Sequence, residues 1–195
     1  MFSTQRATTV VLSAAIIVGL GGCSLIEPQG TDVALTGIAA CAQGATWSLD
    51  MAGLAAAVTA DLTAQGVAAP TVTPDGTQTM TWDLDGKVVI DSRFTLVITA
   101  TPAADQIQTV TTTHRGIATG ESYITGNVAI PRDWDGTGTV IASVGDQNGA
   151  PMDPIPFAVL NADLDDSVGV ELTCDGDTLT THQRDGAVVQ TWTKG

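Results

Sequence analysis

Apolar residues follow two rhythms along this chain, and the change between them falls near residue 66. Met51, Leu54, Val58 and Leu62 recur at spacings of three, four and four, which puts them on one stripe of an α-helix. Asp50 stands where an N-cap is needed and Gly66 where a C-terminal glycine ends the run. Before this helix, Ala45 to Leu49 reads as a short strand with Trp47 and Leu49 on one face. After it, Val67 to Pro74 reads as a Pro-bounded connection. From residue 75 onward the period is two. Met80, Trp82 and Leu84 share a face, as do Val88 and Ile90, then Phe94, Leu96 and Ile98, then Val168, Val170, Leu172 and Cys174. Asp-Gly at 75-76, 85-86, 135-136, 175-176 and 185-186, with Asn-Gly at 148-149, predicts turns, because these residues tolerate positive φ. The clearest hairpins join residues 168–174, 178–183 and 187–193. The pattern gives about ten antiparallel strands and one early helix, with Thr, Gln and Asp on a wet face.

The N-terminus has a different character. Arg6 precedes an apolar run from Ala7 to Leu20 that ends in small residues, the form of a secretory signal. At about fourteen residues the run is short of the roughly 20 needed to cross a bilayer as a helix. Leu20-Gly21-Gly22-Cys23 then resembles the bacterial lipobox. The resemblance implies that residues 1–22 are cleaved as a signal peptide and that the Cys23 thiol receives a diacylglycerol. The protein is then anchored by lipid at the extracytoplasmic face of the cell membrane. Residues 24–40, with Pro28, Gly30 and Gly37 and no clear period, read as the tether behind Cys23, and 41–195 as a single domain.

With Cys23 lipidated, Cys41 and Cys174 are the remaining thiols in an exported, oxidising context. A disulfide between them is expected. A metal or redox pair is the alternative, but neither CxxC spacing nor a neighbouring His accompanies them.

A sheet of about ten antiparallel strands curls or closes to remove its edges. The expected fold is therefore mainly β, an antiparallel β-barrel or strongly coiled half-barrel. Trp47 in the first strand after Gly44, the early helix, and the closing strand Thr191-Trp192-Thr193-Lys194 together resemble lipocalin-like secreted lipoproteins of high-GC Gram-positive bacteria. That resemblance covers 41–195 and implies a small apolar ligand or lipid held inside the barrel.

Charge and composition narrow the partners. The 195 residues carry 21 Asp+Glu against 7 Lys+Arg, a net charge of −14, which argues against nucleic acid, whose phosphates need clustered cations. Loss of the leader removes Arg6 and leaves about −15 on the mature chain. Anionic lipid repels such a body, so membrane contact falls to the lipid anchor. Eighteen Asp, thirty Thr and 21 Gly fit turns and strands rather than helices.

Catalytic signals are weak, and a non-enzyme without cofactor is expected. No Gly-x-Ser-x-Gly elbow and no nucleotide-binding Gly-rich loop occurs. His114 and His182 lie in Thr-rich strand patterns and read as solvated surface. Asn161-x-Asp163-x-Asp165-Asp166 suggests calcium, yet Asp166 stands where an EF-hand loop needs Gly and Leu172 where it needs Glu, so no metal site is assigned. Trp47, Trp82 and Trp192 read as core. Trp134, with Arg132 beside it in Pro131-Arg132-Asp133-Trp134-Asp135-Gly136, reads as a loop residue and is the candidate for contact with a ligand or partner. The alternative to a ligand-binding barrel is an envelope interaction lipoprotein with a solid core, acting through such loops.

Overall fold

A computed structural model describes residues 35–153, 168–184 and 186–195. Residues 1–22, expected to be a signal peptide, Cys23 and the acidic Asn161–Asp166 segment lie outside the described residues. The first element, α1 (Gly37–Ala42), begins inside the stretch expected to be tether, and Ile38 packs on the core. Strand β1 (Ala45–Leu49) buries alternate residues, Ala45, Trp47 and Leu49. The Trp47 indole Nε1–H donates to the Ala42 carbonyl at 2.9 Å, which ties α1 to the strand.

Helix α2 (Met51–Ala64) forms as the periodicity predicts. The Asp50 carboxylate accepts from the Gly53 N–H at 3.0 Å, satisfying one of the orphan donors of the first turn. At the other end Gly66 adopts φ +84°, and the Val67 N–H reaches the Leu62 carbonyl at 2.9 Å. That bond and the one from Gly66 N–H to Thr63 make a Schellman closure. Leu54, Ala55, Val58 and Leu62 form its buried face, packed against strands β2 (Thr71–Trp82) and β10 (Val189–Lys194).

The other strands are β3 (Lys87–Ala103), β4 (Gln106–Thr125), β5 (Val128–Asp135), β6 (Thr139–Gln147), β7 (Ala150–Met152), β8 (Val170–Asp175) and β9 (Thr178–Gln183). All pairings among the described strands are antiparallel. The sheet order is β3-β2-β1-β10-β9-β8-β5-β4-β6-β7, and β3 also pairs with β4. This extra pairing closes eight of the ten strands into a ring, in agreement with the expected mainly β, curled architecture. β5 lies along one half of β4 and β6 along the other, on the same edge, so they act as one strand broken at Gly136–Gly138. β6 and β7 thereby extend the sheet outside the ring.

Two junctions of the ring contrast. β2 and β3 run in continuous register from Thr71↔Thr99 to Trp82↔Val88, whereas β5 meets β8 only at Val128↔Glu171 and Ala129↔Val170. At the β1–β10 junction Lys194 sits opposite Trp47, with its ammonium 5.8 Å from the indole centroid. The expected disulfide is present: Cys41 and Cys174 are bonded across a separation of 133 residues, joining α1 to β8.

One expected turn and one expected core residue are placed differently by the structure. Asp75-Gly76 is not a turn but part of β2, which begins at Thr71, inside the expected connection. Gly76 is there because a Cβ would lie 2.2 Å from the Arg93 carbonyl oxygen at φ +99°, a space and a conformation only glycine accepts. Leu84, expected on the face of Met80 and Trp82, is exposed at the tip of the β2–β3 turn. The other Asp-Gly and Asn-Gly turns that fall on described residues sit between strands as predicted.

Candidate functional site

The ring encloses a partly open cavity of about 160 Å³. Its walls come from strands on every side: Met80 and Trp82 from β2, Val88 and Ile90 from β3, Ala118 and Ser122 from β4, Trp134 from β5, Leu172 from β8 and Trp192 from β10. Alternation delivers these side chains inward, since period-two neighbours of a strand share a face. Among the described residues the lining holds no Asp, Glu, Lys, Arg or Cys, in a chain with 28 such charged groups, 21 acidic and 7 basic.

Polar groups do enter the cavity wall, and they divide into two sets. One is internally satisfied: the Trp192 indole N–H donates to the Thr181 hydroxyl at 3.0 Å, and that hydroxyl donates to the Gln190 carbonyl at 3.2 Å. The other set is not. Among the described residues four buried side-chain atoms have no hydrogen-bond partner, namely Gln78 Oε1, Trp82 Nε1, His114 Nε2 and Thr139 Oγ1, and all four residues line this one cavity. Gln78 is held by its other amide atom, Nε2, which donates to Ser92 Oγ at 2.7 Å. Buried polar groups without partners cost about 1–3 kcal/mol each. Their convergence on one space makes this the candidate binding site.

His114 is the principal correction to the sequence reading. It is not solvated surface: only 4% of it is exposed, and its ring stacks on Phe94 at 4.4 Å between centroids and 8° between planes. The two residues face each other directly in the β3–β4 register. Burial lowers the imidazole pKa to about 4, so the ring is neutral near pH 7. A usable signal was present: His114 lies four residues from both Val110 and Ala118, which places it on the same inward strand face. His182 is half-buried, with Nε2 2.8 Å from the Gly186 carbonyl and Nδ1 3.9 Å from Glu171.

Trp47, Trp82 and Trp192 are buried in the core as expected, and Trp82 and Trp192 also face the cavity. Trp134 lies in β5 rather than a loop, half-buried, its ring so close to Gly120 that a Cβ there would meet it at 2.4 Å. Arg132, on the same strand, is exposed and stacks its guanidinium 4.5 Å from the Tyr123 ring centroid. The structure thus separates the two: Trp134 belongs to the cavity and Arg132 to the outer surface. Gln78 and Thr139 were not singled out from sequence, because an amide or hydroxyl in a Thr-rich strand gives no sign of which face is enclosed.

Among the described residues no group of three or more His, Cys, Asp or Glu is arranged to hold a metal, and no helix is long and apolar enough to cross a membrane. Comparison with protein-family models, with curated proteins and with solved structures finds no match. The reading of the site therefore rests on its geometry.

Proposed function

We propose that this protein is a lipid-anchored, extracytoplasmic binding protein that holds a small molecule inside its β ring. The carrying observation is the partly open cavity of about 160 Å³ inside the ring. Its size is comparable to the roughly 150 Å³ engineered cavity that admits benzene. Drug-sized sites run to about 300–1,000 Å³, so the space suits a compact molecule rather than an extended acyl chain. A wall of Trp, Leu, Ile and Val supplies apolar contact, and among the described residues no carboxylate, Lys, Arg or Cys lines it. The lipocalin-like reading is supported by the closing of β10 on β1 with Lys194 over Trp47.

The anchor is proposed from Leu20-Gly21-Gly22-Cys23. Two acyl chains on Cys23 give stable attachment, at roughly 0.8 kcal/mol per buried CH₂. Native mass spectrometry of the detergent-solubilised protein tests the binding reading through a co-purifying small molecule. Cys23→Ala tests the anchor: the variant is expected in the soluble fraction, still folded, and retention in membranes would refute lipidation at this residue.

The reading as an interaction lipoprotein has one observation in its favour, the exposed Val140, Ile141 and Val144 on β6. Cross-linking in intact cells distinguishes it, since a partner seated on β6 is lost in a Val144→Asp variant while binding inside the ring is unaffected.

A further inference from the structure

The cavity's apolar walls are common to many sites, but its four unpartnered polar atoms are specific. Trp82 Nε1 can only donate, Gln78 Oε1 can only accept, and His114 Nε2 and Thr139 Oγ1 can do either. If the Gln78 amide is turned over, its Ser92 bond is made by the oxygen and an N–H is left open instead, so one atom of this cavity-lining residue is unsatisfied either way. Among the described residues no formal charge lines the space to meet a charged ligand, and burial without pairing makes a bound ion costly.

We infer that the occupant is a small, uncharged molecule of about the size of a substituted six-membered ring, carrying both a hydrogen-bond acceptor and a donor. This deepens the proposed function and depends on it. A hydrocarbon of the same volume leaves Trp82 Nε1 and Gln78 Oε1 as unsatisfied as they are in the empty site. An alcohol, phenol or carboxamide satisfies them while its ring takes the apolar wall. Recognition by hydrogen bonds to otherwise orphaned groups discriminates strongly against the analogue that lacks them.

Two pairs of isosteres test this on the detergent-solubilised full chain by calorimetry and ligand-observed NMR: toluene against phenol, and benzoate against benzamide. Phenol is expected to bind about tenfold or more tightly than toluene, and benzamide to bind where benzoate does not. Trp82→Phe keeps an aromatic ring and removes the N–H. It should erase most of the phenol preference, read as the ratio of phenol to toluene affinity within the variant, and Gln78→Met provides the same test should the first variant fail to fold. Toluene binding as well as phenol, or a phenol preference unchanged in the folded variant, overturns the inference and leaves the binding function standing. Binding of benzoate equal to benzamide overturns the uncharged requirement. Failure of all four probes to bind overturns the binding function itself.

Discussion

His114 should make stability depend on pH in a window largely above that of the carboxylates. In the folded state burial holds its pKa at about 4, while the unfolded chain titrates near 6.5. Between these values the unfolded state binds the extra proton. Its contribution to stability is therefore complete above about pH 6.5 and is lost as pH falls toward about 4. Linkage sets the loss between about pH 7 and about pH 5 at no more than about 2 kcal/mol, and water reaching the partly open cavity reduces it. Phe94 stacks on the ring, Ile141 stands opposite it in β6, and among the described residues no charged group lines the cavity, so the shift comes from burial. His114→Phe keeps a stacked ring and removes the titration. Urea unfolding of both proteins at the two pH values isolates the effect, because the carboxylates are common to both. The wild type should lose about 1–2 kcal/mol more than the variant. A difference under about 0.5 kcal/mol would show that His114 titrates as an exposed histidine and would refute its placement inside the ring.

The disulfide and one glycine give further tests. Replacing Cys41 and Cys174 together by Ser releases a loop spanning 133 residues. It should lower stability by about 4–5 kcal/mol in the chain-entropy model, read as a shift in the urea midpoint. Gly76→Ala places a Cβ 2.2 Å from the Arg93 carbonyl at positive φ and should cost more than about 2 kcal/mol. An unchanged melting temperature would mean that β2 bends at this position.

The parts of the fold that could be read from sequence are those where one local rule decides the outcome. α2 announces itself through Asp50, the three-four spacing and Gly66, and the structure uses each of them. The Cys41–Cys174 bond was expected once Cys23 was set aside as the lipidation site, leaving one pair. Errors arose where a dipeptide fits two backbone roles: Asp-Gly makes a turn at 85-86 but at 75-76 allows close packing within a long strand. The site was harder, because its signature is an inversion of the usual pattern. Gln78, Thr112 and His114 are polar residues on the inward face, and a polar inward face in one strand looks the same as an outward one. Only the β3–β4 pairing that closes the ring, a contact between two long strands, decides which side is inside.

The short β5–β8 junction bears on how the ring around the partly open cavity could loosen. Two register pairs hold it, with one adjoining bond from the Leu172 N–H to the Asn127 carbonyl at 2.7 Å, while the β2–β3 junction is paired over its whole length. Local openings that break few bonds have lower free energies than those that break many. In hydrogen–deuterium exchange, the Leu172 amide should therefore exchange through a local opening long before the central β2 and β3 amides do. Cys174, on the same strand, stays bonded to Cys41 throughout. A ring that parts at this junction keeps β8 tied by the covalent link, so under the proposed binding function release and uptake of a bound molecule would not need unfolding of the domain.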